Sequence, residues 1–212
     1  MTTRKPIAVA TNDSPQSQAA VLWAARRAER AGLPLVILHV VDDRWMAEPY
    51  PWIGVLEEAG DKLLQTAAGR IRGAFPIGVS TRLLTGSVGG SLAKYSGKAS
   101  MVVVGSGTGH LGGSLADRAL QVAASSKVPV AVVGTQELEG RSGVVVGVDG
   151  SKEATQAVAF AAAEADREGD DLTVVYAVYA PDRVTDAGLL TTSLAELITE
   201  AVSYTHLTLP TN

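Results

Sequence analysis

The chain repeats itself. Ile7–Val41 (IAVATNDSPQSQAAVLWAARRAERAGLPLVILHVV) aligns without a gap on Val144–Val178 (VVVGVDGSKEATQAVAFAAAEADREGDDLTVVYAV), at an offset of 137 residues and with 11 of 35 positions identical. The matched pairs include Ser14/Ser151, Trp23/Phe160, Ala24/Ala161, Ala28/Ala165, Gly32/Gly169 and Leu35/Leu172. Solenoid units repeat every ~20–50 residues, so a period this long is that of a small domain. The chain must therefore fold as two copies of one architecture, and within 212 residues the second copy stops early.

Composition narrows the function classes. A hydrophobic fraction of 46% and a mean hydropathy of +0.17 suffice for a packed core. No apolar run approaches the roughly 18 residues of a membrane span. The opening MTTRKPIAVA lacks the long apolar stretch of a signal peptide, so we expect a soluble cytoplasmic protein with no membrane partner. The chain has no cysteine, which excludes disulfides, thiolate metal sites and cysteine nucleophiles. Its three histidines, His39, His110 and His206, are too few and too scattered to build a metal cluster. A net charge of −4 with dispersed Lys and Arg argues against nucleic-acid binding.

The final stretch Val202–Asn212 (VSYTHLTLPTN) breaks with the helical context before it and reads as the in-frame translation of a sequencing-adapter end. We therefore set residues 202–212 aside from fold reasoning and expect the natural protein to continue past Ala201.

Alternating apolar runs and helix caps predict the elements. Ile7–Ala10 suits a buried parallel strand. Ser14-Pro15 supplies an N-cap with proline at the first helical position. The helix runs to Gly32, placed as a C-cap, and Pro34 blocks its continuation. Leu35–Val41 is a second buried strand. An amphipathic helix follows, with an apolar stripe of Ile53, Leu56, Leu63, Leu64, Ala67 and Ile71. Further strands are expected at 79–84, 101–104 and 128–133, with helices over 87–98 and 114–126 between them. Five strands alternating with helices make an α/β fold, a doubly wound parallel five-stranded sheet. Residues 1–138 form its first copy. Gly134–Gly143 is the linker, and residues 143–201 begin a second copy with strands at 144–148 and 172–178.

In such sheets ligands bind beyond the carboxyl ends of the strands, where strand order reverses. Two loops have the right character. One is Thr11-Asn12-Asp13-Ser14. The other is Gly105–Ser114 (GSGTGHLGGS), whose glycines permit close backbone approach and whose following helix could face a phosphate. Gly107-Thr108-Gly109-His110-Leu111-Gly112 does spell a dinucleotide fingerprint, but that motif belongs after the first strand with an acidic residue about 20 positions on. Here the acidic residue nearest that spacing, Glu137, falls in the linker. A loop whose glycines serve tight turning alone remains a competing reading. His39 reads as a packed strand residue, His110 as an exposed loop residue, and Trp45, Tyr50 and Trp52 as a loop packed over the sheet. No Ser-His-Asp arrangement or paired-carboxylate spacing stands out, and no catalytic residue is assigned.

The succession strand, Val-Asp-Gly-Ser, helix, strand ending His-Val-Val-Asp, then Val-Val-Val-Gly-Ser and a glycine loop, then Gln-Val-Ala-Ala and Val-Pro-Val-Ala-Val-Val, resembles the universal stress protein family. The resemblance covers residues 5–135 and 143–201. It implies a five-stranded parallel sheet of order 3-2-1-4-5, tandem pairing or self-association of such domains, and ATP as a cofactor in the crevice. Residue by residue, it puts Ala10 and Asn12 beside the nucleoside and the Val40 backbone against adenine. Gly105, Ser106, Gly107 and Gly109 fall on the phosphates. In the second copy Gly147, Asp149, Gly150, Ser151 and Ala177 take the corresponding places.

The chain also departs from that pattern. ATP-binding members show glycine, two residues, glycine, nine residues, glycine and then Ser or Thr, whereas Thr108 stands at the second glycine here. Ala116-Asp117 stand where Gly-Ser belong, and the loop between is two residues short. Asn12 replaces the usual acid, which the second copy keeps as Asp149. The expectation is a regulatory, non-enzymatic stress-response protein whose first copy has a degenerate nucleotide site, with ATP weak or absent there. The alternatives are a dinucleotide-binding enzyme on a Rossmann-like sheet and an interaction module without ligand.

Overall fold

The computed structural model describes residues 4–43, 53–106, 115–135 and 142–176, with the side chains of 115–118 outside that description. The chain divides into two compact units, Met1–Glu137 and Leu138–Asn212. The first contains β1 (Ile7–Ala10), α1 (Pro15–Ala31), β2 (Leu35–Val41), α2 (Ile53–Ala74), β3 (Val79–Thr85), α3 (Val88–Ser96), β4 (Met101–Gly105), α4 (Leu115–Ser125) and β5 (Val130–Val133). The second contributes β6 (Val144–Val148), α5 (Lys152–Glu168) and β7 (Leu172–Tyr176).

In the first unit the strands form one sheet in the order β3-β2-β1-β4-β5, all parallel as the alternation of strand and helix implies. Ile7 pairs with both Leu35 and Met101, so β1 lies at the centre. Alternation sends its side chains to opposite faces. Ile7, Val9, Leu35, Ile37, Met101 and Val103 meet the alanine-rich face of α1 and Leu64, Ala68 and Ile71 of α2. Ala8, Val36, Leu38, Val102 and Val104 meet Leu92 of α3 and Ala119 and Val122 of α4. Both faces are covered, which is why these strands read as unbroken apolar runs.

The helix signals act where the sequence places them. Ser14 caps α1 by accepting a hydrogen bond from Ser17 N, and Gly32 closes it in the left-handed region at φ +60°. Ser151 and Gly169 repeat both devices on α5, with Gly169 at φ +68°. Two details depart from expectation. β5 starts at Val130 rather than 128, because Pro129 uses its carbonyl to accept from Val102 N but has no N–H to give. The buried face of α2 is Gly60, Leu64, Ala68 and Ile71, while Leu56 is 41% exposed. Gly60 is what brings this face close. A Cβ there would lie 2.7 Å from Leu83 Cδ1 and 2.9 Å from His39 Cδ2.

In the second unit β6 and β7 pair in parallel with the register of β1 and β2, Val144 opposite Leu172 as Ile7 is opposite Leu35. Val146 and Ala161 are buried as their counterparts Val9 and Ala24 are. Val145 and Val175, however, are 69% and 46% exposed, whereas their counterparts Ala8 and Leu38 are fully buried beneath α3 and α4.

Candidate functional site

A crevice of about 520 Å³ opens at the carboxyl ends of β1, β2 and β4, where strand order reverses. β1 and the turn after it supply Ala10, Thr11, Asn12 and Ser14. α1 adds Gln16 and Ser17, β2 and its end add His39, Val40 and Asp42, and β4 adds Val104, Gly105 and then Ser106. Val88 and Leu92 of α3 and Ala119 and Val122 of α4 form the remaining apolar wall. Two loops distant in sequence meet here because β1 and β4 are neighbours.

Gly105 explains the closeness of that meeting. A Cβ on it would lie 2.6 Å from the Gln16 carbonyl carbon and 2.8 Å from Ser17 N, both backbone atoms that cannot swing aside. The β1–α1 turn is held from within. Thr11 Oγ1 and Ser17 Oγ share a buried hydrogen bond of 3.1 Å. Asn12 N donates to Ser17 Oγ, Asp13 N to Thr11 Oγ1, and Ser14 N to Asn12 Oδ1. His39 Nδ1 lies 2.8 Å from the Thr11 carbonyl oxygen. That pairing makes Nδ1 the protonated nitrogen, since a carbonyl can only accept. His39, half-buried and packed against Gly60, thus ties the end of β2 to the turn.

The second unit builds the same turn with different atoms. Asp149 Oδ1 accepts from Ser151 N at 2.9 Å, as Asn12 Oδ1 accepts from Ser14 N at 3.2 Å. Replacing the acid by asparagine keeps the turn and removes its charge. Asp149 is exposed, and the hydrogen bonds from the side chain and backbone of Ser151 hold its carboxyl below the ordinary aspartate range. The pair Thr11 and Ser17 becomes Val148 and Ala154, so a buried polar pair in one copy is an apolar pair in the other.

Of the residues singled out by sequence, Ala10, Asn12, Val40, Gly105 and Ser106 come together around the crevice. Asp149, Gly150 and Ser151 form the corresponding turn of the second unit. Gly107, Gly109 and Ala177 lie outside the described residues, and Asp117 is described only as part of the α4 backbone. Sequence reasoning did not single out Gln16, Ser17, Asp42, Val88, Leu92, Val104, Ala119 or Val122 as lining. Alternation along β4 could have found Val104, which shares a face with Val102. Among the described residues no group of His, Asp and Glu is arranged to hold a metal ion, and no helix is long and apolar enough to cross a membrane.

Comparison with known proteins agrees with this architecture. The model of the universal stress protein family matches residues 3–134 and again 141–206. A universal stress protein of Mycolicibacterium smegmatis is 33% identical over 188 residues, which is 80% of this chain and 63% of that protein. One from Mycobacterium tuberculosis is 33% identical over 190 residues, 81% of this chain and again 63% of the relative. The chain thus spans a little under two thirds of the length of the curated relatives it matches. Among solved structures, a universal stress protein from Archaeoglobus fulgidus superposes with a TM-score of 0.69 at 20% identity, covering 93% of this chain and 73% of that one. With two matched segments that together span most of its length, this chain belongs to the universal stress protein family.

Proposed function

We propose that this chain is a non-catalytic, cytoplasmic regulator of the stress response whose first unit holds an adenine nucleotide in the crevice, with ATP bound weakly or not at all. One observation carries the reading. Ala10, Asn12, Val40, Gly105 and Ser106, drawn from three strands and two loops, line a single crevice at the reversal of strand order. The apolar wall of Val40, Val88, Leu92, Val104 and Val122 suits a heterocycle, and the hydroxyl-rich turn suits a sugar.

The dinucleotide alternative has less support. The turn after β1 contains no glycine, and the N-terminus of α1 is closed by Ser14 rather than opened to a pyrophosphate. A thermal-shift screen of adenosine, AMP, ADP, ATP, NAD and FAD tests the reading. Stabilisation by an adenine mononucleotide or nucleoside, but not by NAD or FAD, supports it. Stabilisation by NAD or FAD alone would replace it.

A further inference from the structure

We infer that Gln16 is the residue through which the first unit reads the sugar of its ligand, its side-chain amide meeting a ribose hydroxyl. This rests on the adenine reading above and adds a specificity residue to that site. The crevice has two sides of different character. Its apolar wall, Ala10, Val40, Leu92, Val104, Ala119 and Val122, belongs to the sheet face covered by α3 and α4. α1, which carries Gln16, covers the opposite face. The backbone of Gln16 is set against the end of β4, because Gly105 has no side chain to hold it away. A heterocycle laid on the apolar wall therefore turns its sugar toward the start of α1.

The hydroxyls of the neighbouring turn are already engaged. Ser17 Oγ donates to the Ser14 carbonyl and accepts from Asn12 N, so the bond between it and Thr11 Oγ1 is donated by Thr11. Thr11 Oγ1 also accepts from Asp13 N, Asn12 Oδ1 from Ser14 N, and Ser14 Oγ from Ser17 N. Gln16 is half-buried, lines the crevice, and its amide makes no hydrogen bond among the described residues. An amide offers donors and an acceptor together, as a sugar hydroxyl requires. The second copy differs at this place. Its residues aligned with Asn12 and Gln16 are Asp149 and Glu153, which only accept when ionised. Each exchange keeps the shape of the side chain, removes a charge and adds a donor.

Calorimetric titration of the whole chain with AMP, 2′-deoxy-AMP and 3′-deoxy-AMP, ligands of equal charge, tests this. AMP should bind roughly three- to tenfold tighter than at least one deoxy form, the contribution of one neutral hydrogen bond. Gln16→Met keeps the length of the side chain and a good helix former in α1, so its unfolding midpoint should match the parent's. In that variant the gap should close through weaker AMP binding, with the deoxy form little changed. A gap that persists in Gln16→Met, or equal affinities for all three ligands in the parent, overturns the assignment and leaves the adenine reading standing. Absence of binding by all three overturns the adenine reading and this inference with it.

Discussion

Asp13 and Gly150 occupy the same place in the two copies, and both have a left-handed backbone, at φ +62° and +82°. The turn after the first strand of each copy demands that conformation, and only one copy meets it with glycine. Asp13 is the sole described non-glycine residue with positive φ. Gln18 Nε2 braces it by donating to its carbonyl oxygen at 2.9 Å and to Oδ1 at 3.0 Å, and Arg70 stands 3.8 Å away. Asp tolerates this region better than most residues, and a β-branched side chain does not. Asp13→Gly should stay within about 1 kcal/mol of the parent, the relief of strain offsetting lost bracing, whereas Asp13→Val should cost about 1–3 kcal/mol. Urea unfolding checks both.

The exchange of Thr11 and Ser17 for Val148 and Ala154 makes a second prediction. Thr11 Oγ1 and Ser17 Oγ share one buried hydrogen bond, so either single removal leaves the other hydroxyl without that partner, whereas removing both breaks the bond only once and recreates the apolar pair of the other copy. Thr11→Val and Ser17→Ala should each cost about 1–2 kcal/mol, and the double variant less than their sum. A double-mutant cycle in urea measures the difference, and strict additivity would contradict the pairing.

Two buried contacts at glycine should respond differently to a methyl group. At Gly105 the new Cβ meets the backbone of Gln16 and Ser17, so Gly105→Ala should cost about 2–3 kcal/mol and narrow the crevice. At Gly60 it meets the ends of the Leu83 and His39 side chains, and alanine adds helix propensity of about 1 kcal/mol. Gly60→Ala should therefore be the milder change, as thermal unfolding of the two variants will show.

Asp149 should titrate below the ordinary aspartate range, because the side chain and then the backbone of Ser151 favour its charged form. A depressed folded-state pKa stabilises the turn above the unfolded value, and that support fades as pH falls through the folded one. Carboxyl NMR titration should show the depressed midpoint, and Ser151→Ala should move it upward without fully restoring it, since the backbone N–H remains. An unshifted midpoint in the parent would contradict the turn.

Much of the fold was legible in the sequence because its signals are local. β1, β2 and β6 run over the predicted residues, and Ser14, Gly32, Ser151 and Gly169 cap helices as expected. The stripe of α2 holds at Leu64 and Ile71 but fails at Leu56, because the docking face continues through Gly60, which carries no hydrophobic signal. The loops at Asn12 and Gly105 announce the site by their composition, whereas Ala10 and Val40 were legible only through the family resemblance. The His39 link to Thr11, 28 residues away, and the wall contributed by α3 and α4 depend on which strands become neighbours, which no local pattern encodes.

Methyl-labelled NMR of the whole chain during titration with adenosine and AMP tests the central claim most directly. Valines line the crevice at positions 40, 88, 104 and 122, while Val21 is on the buried face of α1 and Val146 is buried in β6 of the second unit. The account predicts shifts concentrated at Val40, Val88, Val104 and Val122, with Val21 and Val146 unmoved. Binding that instead perturbs Val146, Val174 and Val175, or that leaves the crevice valines unmoved, would contradict it.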